Sequence, residues 1–309
     1  MLKVLGIQRI KIDLPFKLDH IYCFLAKGEE GWKILDTGLH NEKAIETWRP
    51  HLTGKNITDI IISHCHPDHI GYAGQLQKET NALVWMSETD AVLSPLLWSD
   101  DSSKILHQRY ISCGVDHKTI NKLSSLTDPL VFPLPKVSGY LKDGDTIMFG
   151  NYPYEVIETP GHTDGLFVLY NKEKKVLLST DHILPKITPN ISLRSTGDSN
   201  PLESYFQSLS KMRSLDVEYV IPSHGEPFSQ FHQRVEELEK HHHERLEFIL
   251  TLLDQPKTAF QVCEQLFREN LTIHELRFAI GETLSHLVYL INKGLCQRTE
   301  ENGIWYYVR

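Results

Sequence analysis

The segment Ser63-His64-Cys65-His66-Pro67-Asp68-His69 places three histidines and an aspartate within six residues, directly after the apolar run Ile60-Ile61-Ile62. Buried without partners, these four side chains would be costly to desolvate. A divalent metal supplies the partner, because neutral imidazoles and a carboxylate are what zinc binds. The spacing, His-x-His-x-Asp-His, differs from the i, i+4 histidine pair of a helical metalloprotease motif. It suits a turn at the end of a strand, where successive side chains splay to different sides and can serve two metals. Cys65 has inward-pointing neighbours on both sides, so its thiol is expected to point away.

Three later sites complete the set. Thr159-Pro160-Gly161-His162-Thr163-Asp164-Gly165 is a Pro/Gly turn presenting one histidine. Val176-Leu177-Leu178-Ser179-Thr180-Asp181-His182 is a β-type apolar run ending in an acid, and Tyr219-Val220-Ile221-Pro222-Ser223-His224-Gly225 is another ending in a histidine. Each puts its candidate ligand just past the carboxyl end of a strand, where functional loops gather. His182 either lines the cleft or plays a supporting role behind Asp181. Asp59 is a candidate to orient a ligand histidine, as metal-bound imidazoles usually require, or is an ordinary turn acid. His241-His242-His243 lies in a charged helical stretch and reads as a solvated helix face.

With these residues assembled, the chain resembles the metallo-β-lactamase superfamily. That family carries an early aspartate after a strand, the His-x-His-x-Asp-His cluster, then a His, an Asp and a His. Here these fall on Asp36, the 64–69 cluster, His162, Asp181 and His224, in order and with nothing missing. The resemblance implies that His64, His66 and His162 hold one metal, that Asp68, His69 and His224 hold the second, and that Asp181 bridges both. It makes Asp36 a buried structural acid. Ser63 and Thr180 stand where Thr and Gly are more usual in the family, and neither change removes a ligand. The implied fold is an α/β αββα sandwich. The implied cofactor is two divalent metal ions, zinc first, with Mn or Fe as alternatives that these ligand types also accept.

The implied activity is a metal-dependent hydrolase that uses a metal-bridging hydroxide, with Asp68 as the catalytic residue that orients it or collects its proton. A small acyl ester, thioester or lactone is the expected substrate. A single-strand RNA endonuclease is the alternative, because relatives with a similar tail include one. An iron-dependent persulfide dioxygenase, using fewer of these ligands, is a third class.

The elements that must position these residues fall into zones. Residues 1–86 and 143–228 alternate apolar β-type runs, such as Ile21-Tyr22-Cys23-Phe24-Leu25-Ala26 and Phe167-Val168-Leu169-Tyr170, with turns and short helical patterns. Together they make a catalytic domain over 1–228. A helical insertion at about 87–135, opened by Ser87-Glu88-Thr89-Asp90, is either a substrate cap or a structural insert. In 229–254, Val235, Leu238, His242, Leu246, Ile249 and Leu253 mark an amphipathic connecting helix. Residues 255–309 give two helices, then two strands around Asn302-Gly303, the strongest short hairpin signal. This tail resembles a winged-helix-like domain. Its six Lys/Arg (Lys257, Arg268, Arg277, Lys293, Arg298, Arg309) balance six Glu, so a packing role or homo-oligomerisation is expected ahead of nucleic-acid binding.

Composition sets the remaining bounds. The chain has 309 residues, 40 % hydrophobic and 23 % charged, with a formal charge of −8. That acidic balance gives no support to nonspecific nucleic-acid binding, although RNA stays open as an alternative partner. No apolar run reaches the length of a membrane span, and no membrane partner is expected. Five scattered cysteines argue against a disulfide framework and for a reducing, cytoplasmic setting.

Overall fold

Apolar runs become central strands. All six residues from Ile21 to Ala26 are buried, which requires cover on both faces of that strand. In the computed structural model the described residues are 1–125, 130–267 and 271–309. Residues 126–129 of the expected insertion and 268–270 of the tail, Arg268 included, lie outside them.

The first sheet contains β1 (Ile7–Asp13), β2 (His20–Lys27), β3 (Trp32–Leu35), β4 (Ile57–Ile61), β5 (Leu83–Met86) and β6 (Gly139–Tyr140), hydrogen-bonded in that order. The pairing is antiparallel through β3 and parallel from β3 to β6. The second sheet contains β7 (Thr146–Phe149), β8 (Tyr152–Glu158), β9 (Phe167–Asn171), β10 (Val176–Thr180) and β11 (Tyr219–Pro222), in the order β11-β10-β9-β8-β7. Its one parallel pair is β10 with β11. Phe24 and Leu35 from the first sheet share one buried core with Phe149, Val156, Phe167 and Leu178 from the second. Burying side chains of this kind stabilises the sandwich by about 1.5–3 kcal/mol each. The helices Glu42–Leu52 and Ala73–Thr80 pack on the first sheet, so the expected α/β sandwich of two sheets flanked by helices is what forms.

The chain divides into two compact units, each discontinuous in sequence. The first comprises Met1–Pro95, Asp128–Pro189 and Ser214–Arg234; the second comprises Leu96–Thr127, Asn190–Arg213 and Val235–Arg309. The second unit therefore joins most of the insertion helices to the tail. Phe260 N–H donates to Cys113 O at 3.0 Å, and Gly114, at φ +79°, lies where a Cβ would meet Thr258 at 2.7 Å.

In the tail, the helix Phe231–Leu252 leads to β12 (Lys257–Thr258), the helices Ala259–Leu266 and Ile273–Asn292, and then β13 (Gln297–Glu301) and β14 (Ile304–Val308). The small sheet runs β12-β14-β13. Both shorter-range helix starts are closed by capping boxes, Thr258 with Gln261 and Thr272 with Glu275. Asn302 and Gly303, with φ of 51° and 79°, make the tight turn that the Asn-Gly pair favours.

The solvated-face reading of His241-His242-His243 holds for the exposed His243 and is corrected for His242. His242 is fully buried, because it falls on the same helical stripe as Leu238 and Leu246. Its Nδ1 lies 3.1 Å from Nε2 of His286. Cys23, Cys65, Cys113, Cys263 and Cys296 are all free and buried. Among the described residues, no helix is long and apolar enough to cross a membrane.

Candidate metal centre

Each sequence-selected ligand sits just beyond a strand. Ser63–His69 follows β4 and runs into the short helix Pro67–Ile70. His162 stands in the turn after β8, Asp181 directly after β10, and His224 two residues after β11. The backbone turns sharply at two of these exits. Asp36, after β3, has φ of 59°, and Thr180, the last residue of β10, has φ of 45°. A β-branched residue in this left-handed region is strained, and such strain concentrates at functional sites.

The structure brings all seven candidate ligands together. His64, His66 and His162 have donor atoms within 4.8 Å of one another, as do His64, His69 and Asp181, and again Asp68, His69 and His224. His64 Nε2 lies 3.0 Å from His66 Nδ1, and the His66 and His162 rings are 4.4 Å apart, centroid to centroid. Asp181 is the centrepiece. Its Oδ2 is 3.3 Å from His224 Nε2 and 3.5 Å from His162 Nε2, and its Oδ1 is 3.5 Å from His69 Nε2. His224 Nε2 is also 3.4 Å from Asp68 Oδ2. His64 and His69 are fully buried, and His162, Asp181 and His224 nearly so.

These separations fit metal ligation better than hydrogen bonding. Two donors at 2.0–2.1 Å from one tetrahedral ion stand roughly 3.3–3.4 Å apart. Nε2 of His69, Nε2 of His224 and Oδ1 of Asp181 are buried and make no hydrogen bond of normal geometry. Buried polar atoms are otherwise almost always satisfied. The donor set, imidazole nitrogens with two carboxylates, is one that divalent transition metals accept.

The electrostatics follow from this crowding. Burial opposes ionisation of Asp181, but the His224 and His69 imidazoles hold its carboxyl well below the usual carboxylate range. Asp68 is lowered in the same way, by His69 and His224 against burial. Burial would depress the two histidines, yet the carboxylates override it. His69 is raised well above its ordinary value by Asp181 and Asp36, and His224 is pushed up to about 10 by Asp181 and Asp68. The anionic cluster thus attracts cations, protons included.

A second set of contacts fixes the ligand side chains. Asp36 Oδ2 accepts from His69 Nδ1 at 2.8 Å and from Ser63 Oγ at 2.8 Å, and its Oδ1 accepts from Ser63 N–H at 2.8 Å. His224 Nδ1 donates to the carbonyl of His20 at 2.7 Å. In both histidines this turns Nε2 toward the cluster. Asp59 does not take the orienting role considered for it. It lies on β4 and accepts from Trp85 Nε1 and Thr58 Oγ1, both at 2.8 Å. Cys65 is buried and belongs to none of the ligand groups. His182 is buried, its backbone N–H donating to Ser179 O at 3.0 Å.

Sequence reasoning missed Asp90. It is fully buried and ties two ligand loops together. Its Oδ2 accepts from Cys65 N–H at 2.8 Å and Thr163 Oγ1 at 2.9 Å, and its Oδ1 accepts from Gly165 N–H at 2.9 Å. A Cβ at Gly165 would meet Ser87 Oγ at 2.2 Å and Asp90 N at 2.8 Å, so only glycine allows this approach.

Comparison with known proteins agrees with the geometry. Residues 17–224 match the model of the metallo-beta-lactamase superfamily, and residues 246–309 match a metallo-beta-lactamase-like C-terminal domain. The chain is 26 % identical over 289 residues to a probable metallo-hydrolase, YqjP, of Bacillus subtilis, covering 90 % of both chains. A beta-lactamase domain protein from Burkholderia ambifaria superposes with a TM-score of 0.90 at 30 % identity, over 98 % of this chain and 92 % of the other. A shorter stretch of 160 residues is 24 % identical to the hydroxyacylglutathione hydrolase GloC of Haemophilus influenzae, covering 50 % of this chain and 61 % of that one. Fold, ligand geometry and sequence matches agree: the chain belongs to the metallo-beta-lactamase superfamily and is a metallo-hydrolase.

Proposed function

We propose that the chain is a dinuclear hydrolase of a small acyl ester, thioester or lactone. His64, His66 and His162 hold one divalent ion, Asp68, His69 and His224 hold the other, and Asp181 is shared by both. The observation that carries this reading is the convergence of seven donors on one buried point, with Asp181 within 3.5 Å of three histidines from three different loops. Zinc is the ion that the imidazole-rich set favours.

When bound, two such ions supply Lewis acidity and bring the pKa of water toward neutrality. The chain's own residues do the rest. Asp68 stays ionised because His69 and His224 flank it. Its side chain is 18 % exposed against 8 % for Asp181, so it is the carboxylate that reaches solvent. It orients the attacking water and collects its proton. Asp36 and the His20 carbonyl accept from Nδ1 of His69 and of His224, and so aim each Nε2 at the cluster.

An acyl substrate is supported by the likeness to a relative whose name is that of an acyl-glutathione hydrolase. We also read the tail, with its helix, strand, two helices and hairpin in the order β12-β14-β13, as winged-helix-like.

The test is a panel of aryl esters, acyl thioesters, lactones and single-stranded RNA, given to the metal-loaded protein. Hydrolysis of an acyl substrate is expected, with Asp68→Ala lowering turnover by about 10²- to 10⁴-fold in a protein that still folds. RNA cleavage with no acyl substrate turned over would contradict the reading.

A further inference from the structure

The helix Phe231–Leu252 buries a stripe of Leu238, His242 and Leu246, each four residues after the last. His241 and Arg245, also four apart, line the edge of that stripe. There Arg245 pairs with Glu282, a buried residue of the helix Ile273–Asn292. Asn190 Nδ2 donates to the other oxygen of the same carboxylate at 2.9 Å. One donor atom each from His241, His242 and Glu282 lie within 4.8 Å of one another. All three residues belong to the second unit, and none belongs to the seven-donor centre.

A run of hydrogen bonds decides which nitrogen of His242 is available. The Glu282 carbonyl can only accept, so His286 Nδ1 donates to it, at 2.8 Å. Burial pulls His286 down to about 3, so the ring is neutral and its Nε2 is an acceptor. His242 Nδ1 therefore donates to that nitrogen, at 3.1 Å. Burial also holds His242 well below its ordinary value, so this ring is neutral too and its Nε2 carries a lone pair. That Nε2 is buried and has no hydrogen-bond partner among the described residues, whereas buried polar atoms are almost always satisfied. The relay has the form found behind metal-bound imidazoles, whose other ring nitrogen donates to a fixed acceptor. Each oxygen of a carboxylate can accept more than one partner, so the Arg245 and Asn190 contacts leave Glu282 able to ligate. His241 is partly exposed, which gives an ion a way in from solvent.

We propose that His241, His242 and Glu282 form a further metal site, for one divalent transition-metal ion of the zinc class. Two imidazoles, one carboxylate and a water complete a four-coordinate zinc set. An ion held there ties the helix Phe231–Leu252 to the helix Ile273–Asn292. The Arg245 guanidinium beside Glu282 opposes the charge of the ion, so the site is weaker than the seven-donor centre and fills only when zinc is added. The assignment is independent of the hydrolase reading, since it uses no residue of that centre.

Zinc titration of the purified full-length protein, read by competition with a chromophoric chelator, tests this. One further equivalent per chain is expected beyond the content of the seven-donor centre. His241→Ala weakens that equivalent by about tenfold or more, whereas His243→Ala, at the exposed neighbour, leaves it unchanged. Asp181→Ala lowers the content of the seven-donor centre and keeps this equivalent, so the two sites fail separately. Added zinc also raises the unfolding temperature of the unaltered protein more than that of His241→Ala, because an ion that binds only the folded chain stabilises it. The absence of a further equivalent would overturn the proposal, as would one that is unchanged in His241→Ala or lost equally in His243→Ala. An equal rise in unfolding temperature for the unaltered protein and His241→Ala would overturn it as well.

Discussion

Asp36 acts on the metal centre at one remove. Both its oxygens are engaged, with Ser63 on one and with Ser63 and His69 on the other. Its bond to His69 Nδ1 fixes that ring's tautomer, so that Nε2 faces the cluster. Asp36→Asn leaves the fold's volume unchanged but replaces an acceptor with an ambiguous amide. The expected outcome is metal affinity lower by about 10- to 100-fold, measured by competition with a chelator; unchanged affinity would show that Asp36 is merely packed. The seven ligands are legible in the sequence because few other uses explain histidines and acids on successive strand-end turns. The residues behind them are less so. Asp90 begins a helix and reads as an ordinary first-turn acid, while its acceptors serve loops at 63–69 and 162–165. His20 contributes through its carbonyl, which any residue would supply, so no side-chain pattern announces it.

At the scale of elements, the strands were legible from their apolar runs, since β9 and β10 are buried at every residue. Two-residue strands such as β6 and β12 are too short for any alternation to show. The helix Phe231–Leu252 carried a signal that cut both ways. His242 lies on its apolar stripe, and the neighbouring histidines suggested solvent instead. His286 Nδ1 donates to Glu282 O at 2.8 Å, leaving Nε2 to accept from His242 Nδ1 at 3.1 Å, a network that needs the His286 ring neutral. Burial pulls His286 down to about 3 and His242 well below its ordinary value. The unfolded chain takes up these protons near pH 6.5, before the folded one does. The network's stability is therefore fully present above about pH 6.5 and is lost as pH falls toward 3. For His286 alone the loss at pH 5 is roughly 2 kcal/mol. Denaturant unfolding at pH 7 and pH 5 should show this loss, and His286→Gln should reduce it. An identical pH dependence in the variant would contradict the assignment.

Across the whole molecule, the compact units are assembled from three chain segments each. This interleaving was not legible, because it depends on contacts between residues far apart in sequence, such as Phe260 with Cys113. The tail's buried Ile280, Leu284 and Leu287 belong to a helix that packs on both His117–Ser124 and Pro201–Met212. A chain ending at residue 254 strips the cover from those helices and exposes a contiguous apolar surface. It is expected to aggregate during purification; a soluble, monodisperse product with unchanged unfolding temperature would contradict the packing role. The central claim concerns the other unit, where seven donors from four loops meet. Elemental analysis of protein purified gently from metal-replete medium tests it most directly. The account predicts close to two transition-metal ions per chain, falling in Asp181→Ala; one ion or none in the unaltered protein would contradict it.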